Sequence, residues 1–209
     1  MIVPALLTNN RDELIRMMDL CSEFTDYVQI DIMDGEFVPS KSVDTQDLNG
    51  IRSFVRSEAH LMVRDPLIWI DAFKAIGTEK IIYHFEIDAN HKEIISRIKA
   101  ADLKAGIAVN PVTKIEEFGF LTEEVDTFLF MSVNPGFYGA QFIPEVLEKI
   151  RSFKDRYPDK IAGIDGGVKF DNLRSIRDSG IDYICVGSAI LKNPDPKKAY
   201  ADFLRLYNE

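Results

Sequence analysis

The sequence predicts an α/β protein, a single (β/α)8 TIM barrel spanning residues 1–209. Three observations point there. About eight strand–helix units follow one another with no linker and no break in composition. The strand-like runs are almost continuously apolar, as in strands covered on both faces. Their C-terminal ends carry carboxylates, imidazoles and glycines, and barrels of this kind gather their chemistry at those ends. Repeats at this density favour a closed barrel over an open doubly wound sheet, and no second domain is expected.

Taken in order, Met1 to Leu7 reads as the first strand. Arg11 to Phe24 places Leu14, Ile15, Met18, Leu20 and Cys21 at helical spacing, with Asn10 positioned to cap. Tyr27 to Asp31 is the second strand. It is followed by a long polar connection from Glu36 to Asn49, too long to be an idle turn and expected to lie over a site. Ala59 to Val63 is a strand, Pro66 to Ile76 a helix, Ile81 to Phe85 a strand and His91 to Ala101 a helix. Ala105 to Val109 is a strand that stops at Asn110-Pro111, and Thr113 to Phe118 is a short helix. Thr127 to Val133 is a strand, and Pro144 to Phe153 a helix with Val146, Leu147, Ile150 and Phe153 on one face. Lys160 to Asp165 is a strand, Phe170 to Ser179 a helix ended by Gly180, Asp182 to Val186 a strand, and Lys197 to Tyr207 the last helix.

Composition narrows the function classes. At 46% hydrophobic and 28% charged residues, the chain can bury a full core. A net charge of -9 and the lack of a basic block argue against nucleic-acid partners. Cys21 and Cys185 are the only cysteines, so neither a disulfide framework nor a Cys-rich zinc site is expected. The N-terminal run lacks a basic n-region, and no apolar run approaches the ~20 residues that span a bilayer. The expectation is a cytoplasmic protein with no membrane partner.

The strand ends present Gln29 and Asp31, His60, His84, Asn110, Met131 with Asn134, Asp165, and Gly187-Ser188. Two Asp on opposite sides of a barrel mouth suit acid/base work on the two faces of one carbon. With His60 they also form a plausible metal set. A lone strand-end His is more often a hydrogen-bonded core residue than a ligand, and Asp34, beside Gly35, serves equally as a turn or helix cap. Gly166-Gly167 and Gly187-Ser188 each open a helix, and backbone N–H groups there favour phosphate. Asn134 to Gly139, with Gly136, forms a third glycine-bearing loop able to close over a ligand. Tight βα turns also use such glycines.

Five motifs together resemble the ribulose-phosphate 3-epimerase family: Asp31-Ile32-Met33-Asp34-Gly35 with Phe37-Val38-Pro39, His60 to Val63, Met131 to Phe137, Asp165 to Val168, and Val186 to Ile190. The resemblance runs through essentially the whole chain. It implies epimerisation of ribulose 5-phosphate to xylulose 5-phosphate, or of a related ketose phosphate, at C3. It further implies a divalent metal, commonly zinc, held by two His and two Asp, with the same Asp pair as acid and base. Asp31, His60 and Asp165 match. The fourth position is Gln29, a poorer zinc ligand, which would lower affinity, shift preference to a harder ion such as manganese, iron or magnesium, or leave the set incomplete.

Met33, Met62 and Met131 match methionines expected beside the reacting carbons, although core filling would account for them as well. Gly136, Gly139, Gly166, Gly167, Gly187 and Ser188 are the expected substrate contacts, with His60 among them. Departures surround the sugar end: Ala5 stands for a serine, Glu36 for a histidine, Ser40 for an asparagine, and Tyr138 and Ala140 for glycine and glutamine. These predict a kept phosphate site and a changed sugar. The family also implies a homo-oligomer. Met33 stands where related decarboxylases carry a lysine, which argues against that chemistry. The competing reading is a sugar-phosphate-binding homologue with an incomplete metal site and no turnover.

Overall fold

The computed structural model describes residues 1–52, 55–136 and 141–209. Eight parallel strands close into a barrel in sequence order: β1 (Ile2–Leu6), β2 (Tyr27–Met33), β3 (Arg56–Met62), β4 (Lys80–His84), β5 (Lys104–Val109), β6 (Thr127–Met131), β7 (Ile161–Asp165) and β8 (Tyr183–Val186). Pairing of Val3 with Cys185 joins β1 to β8 and seals the cylinder.

The helices α1 (Arg11–Ser22), α2 (Ile70–Ala75), α3 (His91–Ala100), α4 (Ile115–Phe118), α5 (Val146–Arg156), α6 (Leu173–Arg177), α7 (Ser188–Leu191) and α8 (Pro196–Asn208) cover it. Asn10 caps α1 by accepting from the Glu13 N–H, as its sequence position predicts. The segment from Pro66 opens as a 3₁₀ turn through Trp69 before becoming α2, so the expected single helix is two.

Side-chain alternation divides each strand between two cores. On β2, Val28, Ile30 and Ile32 point outward into the large strand–helix core, with Leu61 and Tyr83 from β3 and β4. Gln29, Asp31 and Met33 occupy the opposite, inward parity and are all buried. Inside the barrel, Val3, Ala5, Tyr27, Ile82, Ala108, Leu129, Tyr183 and Cys185 form a second cluster. Below the mouth, Lys80 pairs with Glu58 at 2.8 Å, and the Tyr27 hydroxyl donates to the same carboxylate.

Strand β2 extends two residues past Asp31 because Ile32 and Met33 pair with Leu61 and Met62. Asp31 therefore projects from within the strand, opposite His60 in the register. Met131 is likewise in register with Asp165. Gly166 and Gly167 do not open a helix directly. Both have positive φ, +109° and +64°, which an α-helix excludes, so α6 begins only at Leu173. Gly187-Ser188 does lead straight into α7.

Candidate active site

At the C-terminal mouth of the barrel lies a cavity of about 920 Å³. This is within the size range of small-molecule sites. Asp31 and Asp165 form part of its floor. Met33, Met62, Met131, Gly136, Gly166, Gly167, Gly187 and Ser188 also line it. Gly139 belongs to residues 137–140, outside the described part of the chain. Gln29 and His60 are completely buried and absent from the lining. They act on the floor carboxylates from below.

Four side chains converge there. The Gln29 Nε2 group donates to Asp31 Oδ1 at 2.8 Å and to Asp165 Oδ2 at 2.7 Å. His60 Nδ1 stands 3.1 Å from that Asp31 oxygen and 3.3 Å from that Asp165 oxygen. The two acids come from strands on opposite sides of the barrel, 136 positions from Gln29 to Asp165, yet share one donor. Burial first, then the Asp165 charge, pushes the Asp31 carboxyl above the usual range, while His60 and Gln29 partly offset them. Burial alone would lower His60, but hydrogen bonds to Asp165 and Asp31 overcome it and raise the imidazole to about 9.

Sequence reasoning missed what lies behind His60. Its Nε2 faces His84 Nε2 at 3.1 Å, and His84 Nδ1 meets Glu86 Oε2 at 3.1 Å. Glu86 is held by the Asn110 N–H and the Thr113 hydroxyl. Burial lowers His84, and the hydrogen bonds it receives keep Glu86 below the usual carboxylate range despite its own burial. A His-x-Glu spacing at a strand end, with its two polar side chains on one face, was the available signal.

Asp34 has the capping role. Its carboxylate accepts from the N–H groups of Glu36, Phe37 and Arg64 and so folds the loop after β2. Met33 and Met62 pack with Val38 in a small cluster apart from the main cores, an apolar layer over the carboxylates. Ser40 donates to the Gly136 carbonyl at 2.6 Å and ties this loop to the one after β6. Gly136 has φ +96°, and a side chain there would meet Val38 Cβ at 2.7 Å. Ala5 lines the cavity, while Glu36, outside the lining, pairs with Arg64 on the exposed surface.

The sequence model of the Ribulose-phosphate 3 epimerase family matches residues 1–191. The chain belongs to the ribulose-phosphate 3-epimerase family. It is an epimerase, an enzyme of the isomerase class. The ribulose-phosphate 3-epimerase of Mycobacterium tuberculosis (strain ATCC 25618 / H37Rv) is 33% identical over 186 residues, covering 86% of this chain and 81% of that protein. The Escherichia coli (strain K12) ribulose-phosphate 3-epimerase is 34% identical over 180 residues, covering 83% and 80%.

Among solved structures, orotidine 5'-phosphate decarboxylase from Pyrococcus horikoshii OT3 superposes with a TM-score of 0.71 at 16% identity, over 100% of both chains. The 3-hexulose-6-phosphate synthase from Salmonella typhimurium gives 0.70 at 15% identity, over 99% of this chain and 98% of that one. At these identities the likeness is one of fold.

The family's divalent metal fits the donor set. Asp31, His60 and Asp165 bring one ligand atom each within 4.8 Å of one another, all buried. The histidine chain fits it too. Without a cation, His60 Nδ1 and His84 Nδ1 both need a hydrogen because they face carboxylates, and the Nε2 contact needs a third, leaving one positive charge on the pair. A cation on the His60 Nδ1 lone pair removes that need. His60 then donates from Nε2 to His84, and His84 donates to Glu86, with every group satisfied. No helix of the described residues is long and apolar enough to cross a membrane.

Proposed function

We propose that this epimerase inverts C3 of a ketose phosphate by moving a proton between Asp31, Asp165 and the two faces of that carbon. The observation that carries the reading is the meeting of two buried carboxylates from β2 and β7 at one cavity floor, joined through the Gln29 amide. One acid removes the proton while the other returns one from the opposite side. The upward shift of Asp31 suits a group that must hold and release a proton near neutrality. Met33, Met62 and Met131 keep water from the reacting carbons. Phosphate would lie against Gly166, Gly167, Gly187 and Ser188, where α7 begins and its first N–H groups lack acceptors within the helix.

Asp31, His60 and Asp165 would hold a divalent ion, zinc or a harder one, with Gln29 as a fourth candidate. When bound, such an ion supplies Lewis-acid polarisation of the ketone and its neighbouring hydroxyl.

The substrate is a ketose phosphate whose sugar end differs from ribulose 5-phosphate, a hexulose phosphate being the leading class. Ala5, which lines the cavity, supports this change, whereas Glu36 and Ser40, expected beside the sugar, are absent from the lining. The test is deuterium wash-in at C3 across a panel of ketose phosphates. Exchange with a hexulose phosphate and little with ribulose 5-phosphate is the expected result. Full activity on ribulose 5-phosphate overturns the change of sugar. Binding with no exchange on any member leaves the sugar-phosphate-binding reading, which the amide donor at the metal position favours. A cytoplasmic homo-oligomer completes this reading, and light scattering checks the assembly.

A further inference from the structure

Gln29 has both ends of its amide engaged inside the barrel. Nε2 holds Asp31 Oδ1 and Asp165 Oδ2, and Oε1 accepts from Cys185 Sγ at 3.0 Å. In this orientation Gln29 cannot ligate a cation. An NH₂ group offers hydrogens and no lone pair, and it points them at the oxygens a cation would use. Yet the four converging atoms are spaced at 2.7 to 3.3 Å along their close contacts. These contacts bring the amide group into the same cluster as the three ligand atoms, which lie within 4.8 Å of one another.

The two ends of an amide have almost the same shape, and rotation about its last torsion exchanges them. The group behind Gln29 tolerates either end. A thiol donates weakly to an oxygen and accepts weakly from an N–H. Cys185 is buried on β8, inside the barrel with Ala5 and Tyr183.

We propose that Gln29 is a reversible fourth donor: its NH₂ group clamps Asp31 and Asp165 when no ion is present, and the amide turns over to present Oε1 when a divalent ion enters. Cys185 receives the displaced NH₂ group, so no buried polar end is left unpaired in either state. The inference rests on the metal reading above and adds to it the choice of ion. An amide oxygen in place of an imidazole narrows zinc's advantage over manganese or magnesium.

The test measures Mn²⁺ binding to the purified, metal-stripped full chain by the electron paramagnetic resonance of free Mn²⁺, and Zn²⁺ binding by chelator competition. Circular dichroism monitors the fold. Gln29→Leu is expected to weaken Mn²⁺ binding at least tenfold. Gln29→Glu is expected to strengthen it at least tenfold, while lowering the melting temperature of the metal-free protein, because three carboxylates then converge with His60 as the donor they share and the amide donor gone. Gln29→His is expected to raise the zinc-to-manganese affinity ratio at least tenfold. Cys185→Val, which removes the partner of the amide's back end in both states, is expected to lower the melting temperature with and without Mn²⁺, and Cys185→Ser to restore it.

Equal or tighter Mn²⁺ binding by Gln29→Leu overturns the proposal while leaving a three-residue centre standing. If that variant fails to fold, unchanged or weaker binding by Gln29→Glu overturns it instead. Failure of the parent chain to bind either ion, with His60→Ala making no difference, overturns the metal reading and this proposal together.

Discussion

At the scale of single residues, the site is governed by which buried atom carries a hydrogen. His60 lies between two carboxylates and a second imidazole, and its charge is set by their sum. In metal-free protein its raised value, about 9, has a thermodynamic consequence. A group whose folded value lies above its unfolded one contributes stability that is fully present below the unfolded value, ~6.5 for His, and lost as pH rises through the folded value. The melting temperature of metal-stripped protein should therefore fall between pH ~6.5 and about 9, by the equivalent of roughly 3 kcal/mol. His60→Asn should flatten that part of the profile, and a steady profile in the parent protein would contradict the assignment. Glu86 acts through His84. Glu86→Gln should weaken divalent-ion binding about 10- to 100-fold in a chelator competition while leaving the fold intact by circular dichroism.

At the scale of elements, each strand places its chemistry by alternation. A slip of one residue on β2 would send Gln29, Asp31 and Met33 into the helix layer and Ile30 into the cavity. Pairing of Asp31 with His60, and of Met131 with Asp165, holds the register. The loop after β7 depends on a backbone that side chains rarely adopt. Gly166 has φ +109°, and an added Cβ would lie 2.5 Å from Val133 Cγ2. Gly166→Ala should cost about 1–3 kcal/mol in thermal unfolding and weaken binding of inorganic phosphate, measured by calorimetry.

At the scale of the whole molecule, closure removes the edge strands and creates a cavity that no single unit contains. The helix layer on the β5–β6 side is built on aromatic rings. Phe153 on α5 stacks near Phe118, Phe128 and Phe130, with centroids 6.0, 5.0 and 5.1 Å away. Phe153→Ala should destabilise the protein by about 3–5 kcal/mol in denaturant unfolding, yet leave deuterium exchange at C3 unchanged in the folded fraction. Loss of exchange in the folded protein would mean that the helix layer does more than support the barrel.

Much of this architecture is legible in one dimension. Apolar runs of strand length alternate with helical periodicity, and both patterns come from local sterics and the need to bury one face. Asp31, His60 and Asp165 were legible for the same reason: polar residues inside apolar strands persist only where something satisfies them. The sequence ends β2 at Asp31, two residues early, because partners on β3, not local preference, extend it to Met33. The sequence places a helix start at Gly166-Gly167, and the structure a turn, because glycine permits φ values of either sign and sequence alone does not choose between them.

By itself, then, the chain determined its closed parallel barrel, its family, and the set of acids and imidazole at the strand ends. Only the tertiary structure decided that Glu86 reaches His60 through His84, that Asp34 is a cap, and that the Gln29 amide bridges Asp31 and Asp165 with its back to Cys185. Periodicity is a property of neighbours along the chain. A hydrogen bond between residues far apart in sequence exists only once the cylinder has closed and each buried donor has had to find an acceptor.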